Sequence, residues 1–243
     1  MYIQNRLGLI EGTETMLAQE RRMNQISNNL ANVDTNGFKK EDITFWEMLY
    51  KTNDDHQRVG KALKVVTDKS QGGFETTGNS LDFAISGDGF FKIQTPEGVR
   101  YTRDGNFTLN GEGQLSTMAG HLVMGTGGAI TLDNDQVKVG RDGLITANGE
   151  TINQLSLVTF ADLSALQKKG ENLFAPKGGD IRETPVDNPS VQQGFLESSN
   201  VNVASEMTAM IDLQRAYQGL QKVIQTIDEI DSQAISKVGK LTT

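Results

Sequence analysis

Apolar residues recur every seven positions at both ends of this chain and in short alternating bursts between them. Near the N-terminus, Tyr2, Leu9, Met16, Met23 and Leu30 are seven apart, flanked by Ile3, Ile10 and Leu17 and then by Ile26 and Val33. A seven-residue repeat keeps one stripe facing a partner helix, so the spacing predicts a long amphipathic helix of coiled-coil type. Asn36-Gly37, a pair comfortable at positive φ, is its expected stop. The C-terminal end repeats the pattern with Val203, Met210, Tyr217, Ile224 and Val238, interrupted at Asp231. Leu213, Leu220, Ile227, Ala234 and Leu241 hold the companion positions three residues on. A helix over 203–238 would be roughly 50 Å long.

Between the ends, about residues 76–196, the period changes to two. The runs LDFAI, GFFKI, VRYT, FTL, HLVM, AITL, LIT and LSLVTF are separated by Pro96-Glu97-Gly98, Asp104-Gly105, Asn110-Gly111, Asp142-Gly143 and Asn148-Gly149. Short strands punctuated by such pairs predict consecutive antiparallel hairpins, as a sheet or sandwich. Residues 41–75 fit neither pattern, offering one apolar stretch, ITFWEMLY, and then polar chain, so they are expected to be a connector. The expected class is therefore α+β. Residues 1–40 and 197–243 pair as a helical domain, and 76–196 form a β-rich one.

Composition narrows the chemistry. The formal net charge of −8 argues against nucleic acid or an anionic membrane surface as partner. Cysteine is absent, which excludes disulfides, thiolate metal sites and cysteine nucleophiles. No stretch has the ~18 consecutive apolar residues of a membrane span. MYIQNRLGLIEGTETM lacks the basic start and apolar run of a secretory signal, so export, if it occurs, is expected by a route without a cleaved signal. His56 and His121 lie in different zones with no metal-ligand spacing. Gly87-Asp88-Gly89 follows a strand but lacks the third glycine and the helix of a dinucleotide loop. Asp133-Asn134-Asp135 lacks the glycine and closing glutamate of a calcium loop. No P-loop or nucleophile elbow occurs. Neither an enzyme nor a bound metal or cofactor is expected.

One stretch stands out, NQISNNLANVDTNGFKK (24–40), in which five of seventeen residues are Asn. Asn costs some tenths of a kcal/mol of helix propensity relative to Lys or Glu. Asn24, Asn28 and Asn32, four apart, lie opposite Met23, Ile26 and Leu30 on a helical projection. They suit either a solvated face or a face packed on another polar surface, where an amide can be satisfied and a charge is costly to bury.

ISNNLANVDTNGFKK (26–40) resembles the N-terminal signature of the flagellar axial proteins, the rod and hook family. ESSNVNVASEMTAMIDLQRAYQGLQKVIQTIDEI (197–230) is similar to that family's terminal helix. TGNSLDFAISGDGFFKI (77–93) with YTRDGNF (101–107) resembles its shared β domain. The three motifs span nearly the whole chain in the right order. The short 41–75 segment, and Leu220 where distal-rod and hook members tend to carry Asn, are nearest to the proximal-rod type, with the distal-rod type second.

The resemblance implies a structural subunit whose terminal helices build the core of a hollow tube, with the β domain outside. It implies an assembly surface of Met23, Asn24, Ile26, Asn28, Asn29, Leu30 and Asn32 on the first helix. On the second, the surface is Met210, Leu213, Tyr217, Leu220, Ile224 and Ile227. The implied partners are other rod subunits and the flagellar type III export apparatus, and the implied location is the periplasm-spanning rod of the basal body. Phe45 and Leu49 match the aromatic-plus-apolar pattern such substrates offer the export gate, and equally read as a buried pair. From the residues alone, a soluble β-domain binding module closed by a helical hairpin stays open beside the rod subunit.

Overall fold

The computed structural model describes residues 2–51, 57–133, 137–178 and 182–239; the side chains of 2–10, 45–51, 57–62 and 234–239 lie outside that description. The chain divides into two compact units. A helical unit holds residues 1–31, 41–66 and 202–243, and a β unit holds 32–40 and 67–201.

The helical unit is built from α1 (Tyr2–Ala31), α2 (Val203–Gly239) and a hairpin of two eleven-residue strands, β1 (Glu41–Lys51) and β2 (Gln57–Thr67). The helix expected over 203–238 is present within one residue of its predicted end. Asn202 caps it: its Oδ1 accepts from the Ser205 N–H at 3.0 Å, satisfying one of the orphan donors of the first turn. Glu206 in that turn complements the positive end of the helix dipole. The helices run antiparallel. Gly12 faces Ile224, where an added Cβ would sit 3.6 Å from Cδ1, and Asn29 reaches Glu206.

The expected connector is instead a hairpin. Val65 and Val66 show why it was hard to see, because both are exposed on β2 despite their apolar side chains. The two strands pair with each other as a separate two-stranded sheet. α1 also ends at Ala31, before the expected stop, and residues 32–40 belong to the β unit.

Every strand pair described in the β unit is antiparallel. The main sheet orders Leu166–Lys168, Leu173–Pro176, Gly98–Thr102, Phe90–Thr95, Leu122–Gly125, Leu115–Thr117 and Phe107–Leu109. Strand Leu157–Phe160 joins the start of Phe90–Thr95, pairing Leu157 with Phe91 and Val158 with Phe90. A three-stranded sheet of Lys138–Val139, Leu144–Ala147 and Glu150–Gln154 stands apart.

The sequence GFFKI shows how the main sheet is buried on both faces. Successive strand residues point to opposite sides. Phe91 and Ile93 enter a core with Phe83, Phe107, Leu115 and Val123. Phe90 enters a second core with Tyr101, Phe160 and Phe174. Edge-to-face pairs of Phe91 with Phe107 at 5.2 Å and Tyr101 with Phe160 at 4.8 Å fix the packing.

The turn pairs behave as their chemistry requires. Asn148 (φ 55°) and Gly149 (φ 86°) form the two-residue loop between strands Leu144–Ala147 and Glu150–Gln154. Asp104-Gly105 is different. An added Cβ on Gly105 would lie 1.6 Å from the Phe83 carbonyl, so this glycine permits a close backbone approach rather than a hairpin.

Candidate functional site

Among the described side chains of α2, the covered positions are Ala209 and a row of Glu206, Met210, Leu213, Tyr217, Leu220, Ile224, Ile227 and Asp231, the row spaced alternately four and three. From Met210 to Ile227 these are the expected positions, whereas Val203, expected on the same stripe, is exposed. On α1 the covered row runs through Met16, Gln19, Met23, Ile26 and Leu30, with Ile26 and Leu213 the most enclosed of the apolar set. The companion row expected at Leu17 is not used, and Leu17 is half exposed. Gln19 takes the neighbouring place, with its Oε1 buried and unpartnered among the described residues.

Each helix keeps apolar surface off this seam. Val203, Met207 and Ile211, four apart, form one exposed row on α2, and Val223 and Ile230 form another.

The asparagine row divides. Asn24 and Asn28 are exposed, and Asn32 is half-buried with its Oδ1 accepting from Thr35 Oγ1 at 3.2 Å. The fully enclosed one is Asn29, off the row. Its amide pairs with the backbone of Glu41 as a strand would, accepting from the N–H at 3.1 Å and donating to the carbonyl at 2.9 Å. It also donates to Glu206 Oε2 at 3.3 Å. A neutral side chain with two donors and an acceptor is what this junction of α1, β1 and α2 demands. Asn29 therefore works within the chain.

The β unit holds a cluster that the sequence did not disclose. The Glu197 carboxylate is buried and accepts from Lys39 Nζ, from the Gly72 N–H at 3.0 Å and from Arg103 Nη1 at 3.3 Å. Lys39 also donates to the Ser70 carbonyl at 2.7 Å, and Arg103 stacks over Phe90 at 5.2 Å. Burial pulls the pKa of both Lys39 and Arg103 down, and Glu197 opposes this in each case. Two cations thus share one anion.

Around the cluster the entering and leaving segments of the β unit are stitched together. The Gly37 N–H donates to the Glu197 carbonyl at 2.6 Å, and Asn200 Oδ1 accepts from the Lys40 N–H at 2.7 Å. Gly37 has φ 64°, and an added Cβ would lie 2.5 Å from the Arg103 backbone. Lys39, Arg103 and Glu197 come one from each of the three motifs quoted above. The only sequence signal for them was those charges inside otherwise apolar or small-residue stretches.

Among the described residues no group of three or more His, Asp or Glu side chains is placed to hold a metal ion. No helix among them is long and apolar enough to cross a membrane. His121 Nε2 meets Glu171 Oε2 at 3.1 Å on the surface. Phe45 and Leu49 lie on β1, but their side chains, like His56 and Asn134-Asp135, fall outside the described residues.

Three family patterns match in order: "Flagella basal body rod protein" over 12–39, "Flagellar hook protein FlgE/F/G D1 domain" over 84–147, and "Flagellar basal body rod FlgEFG protein C-terminal" over 192–237. The flagellar basal-body rod protein FlgF of Caulobacter vibrioides is 37% identical, covering 96% of this chain and 98% of its own. The rod protein FlgG of Buchnera aphidicola subsp. Schizaphis graminum is 39% identical, over 88% and 92%. FlgG of Bacillus subtilis is 36% identical, over 91% and 95%. With relatives this similar along nearly their full lengths, the chain belongs to the flagellar basal-body rod proteins of FlgF or FlgG type, structural components of the flagellum rather than enzymes.

Proposed function

We propose that the subunit polymerises through α1 and α2 into the hollow shaft of the rod, after leaving the cytoplasm through the type III export apparatus. The observation that carries this is the unequal coverage of α2. The 4-3 seam supports a coiled-coil pairing with α1, yet Met207 and Ile211 remain 52% and 47% exposed, and Val223 and Ile230 both 55%. Rows of this kind on a soluble chain mark a surface meant for other protein. Met23, Asn24, Asn28 and Leu30 on α1, Asn32 just past its end, and Met210, Tyr217, Leu220, Ile224 and Ile227 on α2 complete the proposed surface. The proximal-rod type is the better fit, on Leu220 and the short segment 41–75.

Proteolysis of the dilute protein tests this reading. A helical pair covered on one stripe has little burial to offset its ordering entropy. The expected result is rapid cleavage within α1 and α2 while the β unit resists, with protection of the helices once rods form. Helices that resist protease in the dilute monomer would count against polymerisation through the ends.

Export is tested separately. Phe45→Ala with Leu49→Ala is expected to lower secretion while the purified chain keeps its melting transition. A collapsed melt would show the pair to be core, leaving the export role without support.

A further inference from the structure

The chain contains three Asn-Gly dipeptides, and the fold treats them unequally. An asparagine before glycine is chemically labile. The glycine amide nitrogen, once deprotonated, attacks the side-chain Cγ and closes a succinimide ring as ammonia leaves. Water then opens the ring at either carbonyl, giving aspartate or isoaspartate. The reaction needs two conditions: a side chain free to turn and a glycine nitrogen free to attack.

Asn36-Gly37 fails the second, because the Gly37 N–H is committed to the Glu197 carbonyl at 2.6 Å in a buried turn. Asn110-Gly111 fails the first. Asn110 Oδ1 accepts from the Glu112 and Gln114 N–H groups, both at 2.9 Å, and Nδ2 donates to Gln114 Oε1 at 3.0 Å. Asn148-Gly149 meets both. Asn148 is exposed at a hairpin tip and makes no side-chain hydrogen bond among the described residues, and Gly149 has open space around it.

We propose that Asn148 is the site at which this protein modifies itself, by deamidation to a mixture of aspartate and isoaspartate. The isoaspartyl product threads the main chain through Cβ and adds a carboxylate at the tip. The tight loop needs positive φ at both of its residues, so the hairpin Leu144–Ala147/Glu150–Gln154 loses its turn geometry there.

Incubation of the purified full chain in mildly alkaline buffer, followed by peptide mass spectrometry, tests this. Three hydrogen bonds restrain Asn110, so Asn148 is expected to deamidate roughly tenfold or more faster. In concentrated urea the three sites should converge, which assigns the difference to the fold. Gln114→Ala removes the partner of Asn110 Nδ2 and should speed loss at Asn110 while leaving Asn148 unchanged. Asn36 or Asn110 reacting as fast as Asn148 in the folded protein would overturn the proposal, as would a difference that persists in urea.

Discussion

Replacing Glu197 with alanine is expected to cost the β unit about 3–5 kcal/mol, the range for removing one partner from a buried ion pair. The total stability of a domain is only some 5–15 kcal/mol, so the loss is large enough to populate unfolded chain under ordinary conditions. The mechanism is specific. Without the carboxylate, Lys39 and Arg103 remain as two cations in a buried site. Lys39 can give up its proton, which its burial already favours, but a guanidinium cannot. The Gly72 N–H also loses its acceptor. Urea unfolding followed by circular dichroism measures the effect. The exposed pair of Lys92 with Glu183 is the control, and Lys92→Met should cost about 1 kcal/mol or less. Joint replacement of Lys39, Arg103 and Glu197 by Met, Met and Leu should recover most of the loss, since an apolar cluster carries no uncompensated charge. An alanine variant that unfolds with the wild type would remove the cluster from the account of how this unit closes.

Met210→Asp is expected to give an exported subunit with an intact β unit that cannot be built into a rod, leaving cells without filaments. Met210 is half-buried in the seam between α1 and α2, one position from the most enclosed residue of that row, Leu213. A carboxylate there costs several kcal/mol if it cannot reach water. In a polymer of repeated contacts the penalty recurs at every subunit. Gln218→Asp, on an exposed face, should be much milder. Met207→Asp separates seam from surface. Met207 lies outside the seam, so an assembly defect there with an unchanged monomer would locate the loss between subunits. Normal swimming by Met210→Asp cells would sink the seam placement. Normal swimming by Met207→Asp cells would remove its exposed row from the contact.

The parts of this architecture that were legible in the sequence are the local ones. The α2 stripe was readable because a 4-3 alternation of apolar residues has one geometric meaning, and Asn148-Gly149 because its turn is set by two adjacent residues. What escaped was settled by distant partners. Strand Val191–Gln193, which pairs with the expected strand at Phe83–Ile85, and strands Phe195–Glu197 and Phe74–Thr76, which pair with each other, are each three residues long and more than a hundred positions from their mates. Three residues cannot establish a period. β1 and β2 escaped for another reason, since the exposed Val65 and Val66 break the apolar-in, polar-out alternation that announces a strand. Composition marks the asparagines and the resemblance puts Asn29 on the assembly surface, but its partners are the backbone of Glu41 and the side chain of Glu206. Composition raised the question, and only the fold could say which amide answers it.

The stitching of Lys39 to Glu197 and of Lys40 to Asn200 brings together residues 158 and 160 positions apart in the chain. The longer segment of the β unit, 67–201, is thus an insert whose own two ends meet at this hydrogen-bonded collar, with the Gly72 N–H donating to Glu197 and Asn200 Nδ2 donating to the Asp68 carbonyl at 3.0 Å. Chain added inside such a closed loop lengthens it without moving its ends, and the entropic cost grows only logarithmically, by about 0.6 kcal/mol per doubling. Lineages carrying this collar are therefore free to enlarge, trim or exchange the strands it encloses while inheriting the same pair of helices. The expected trace in descent is rapid change in length between the collar strands and near-constant spacing outside them.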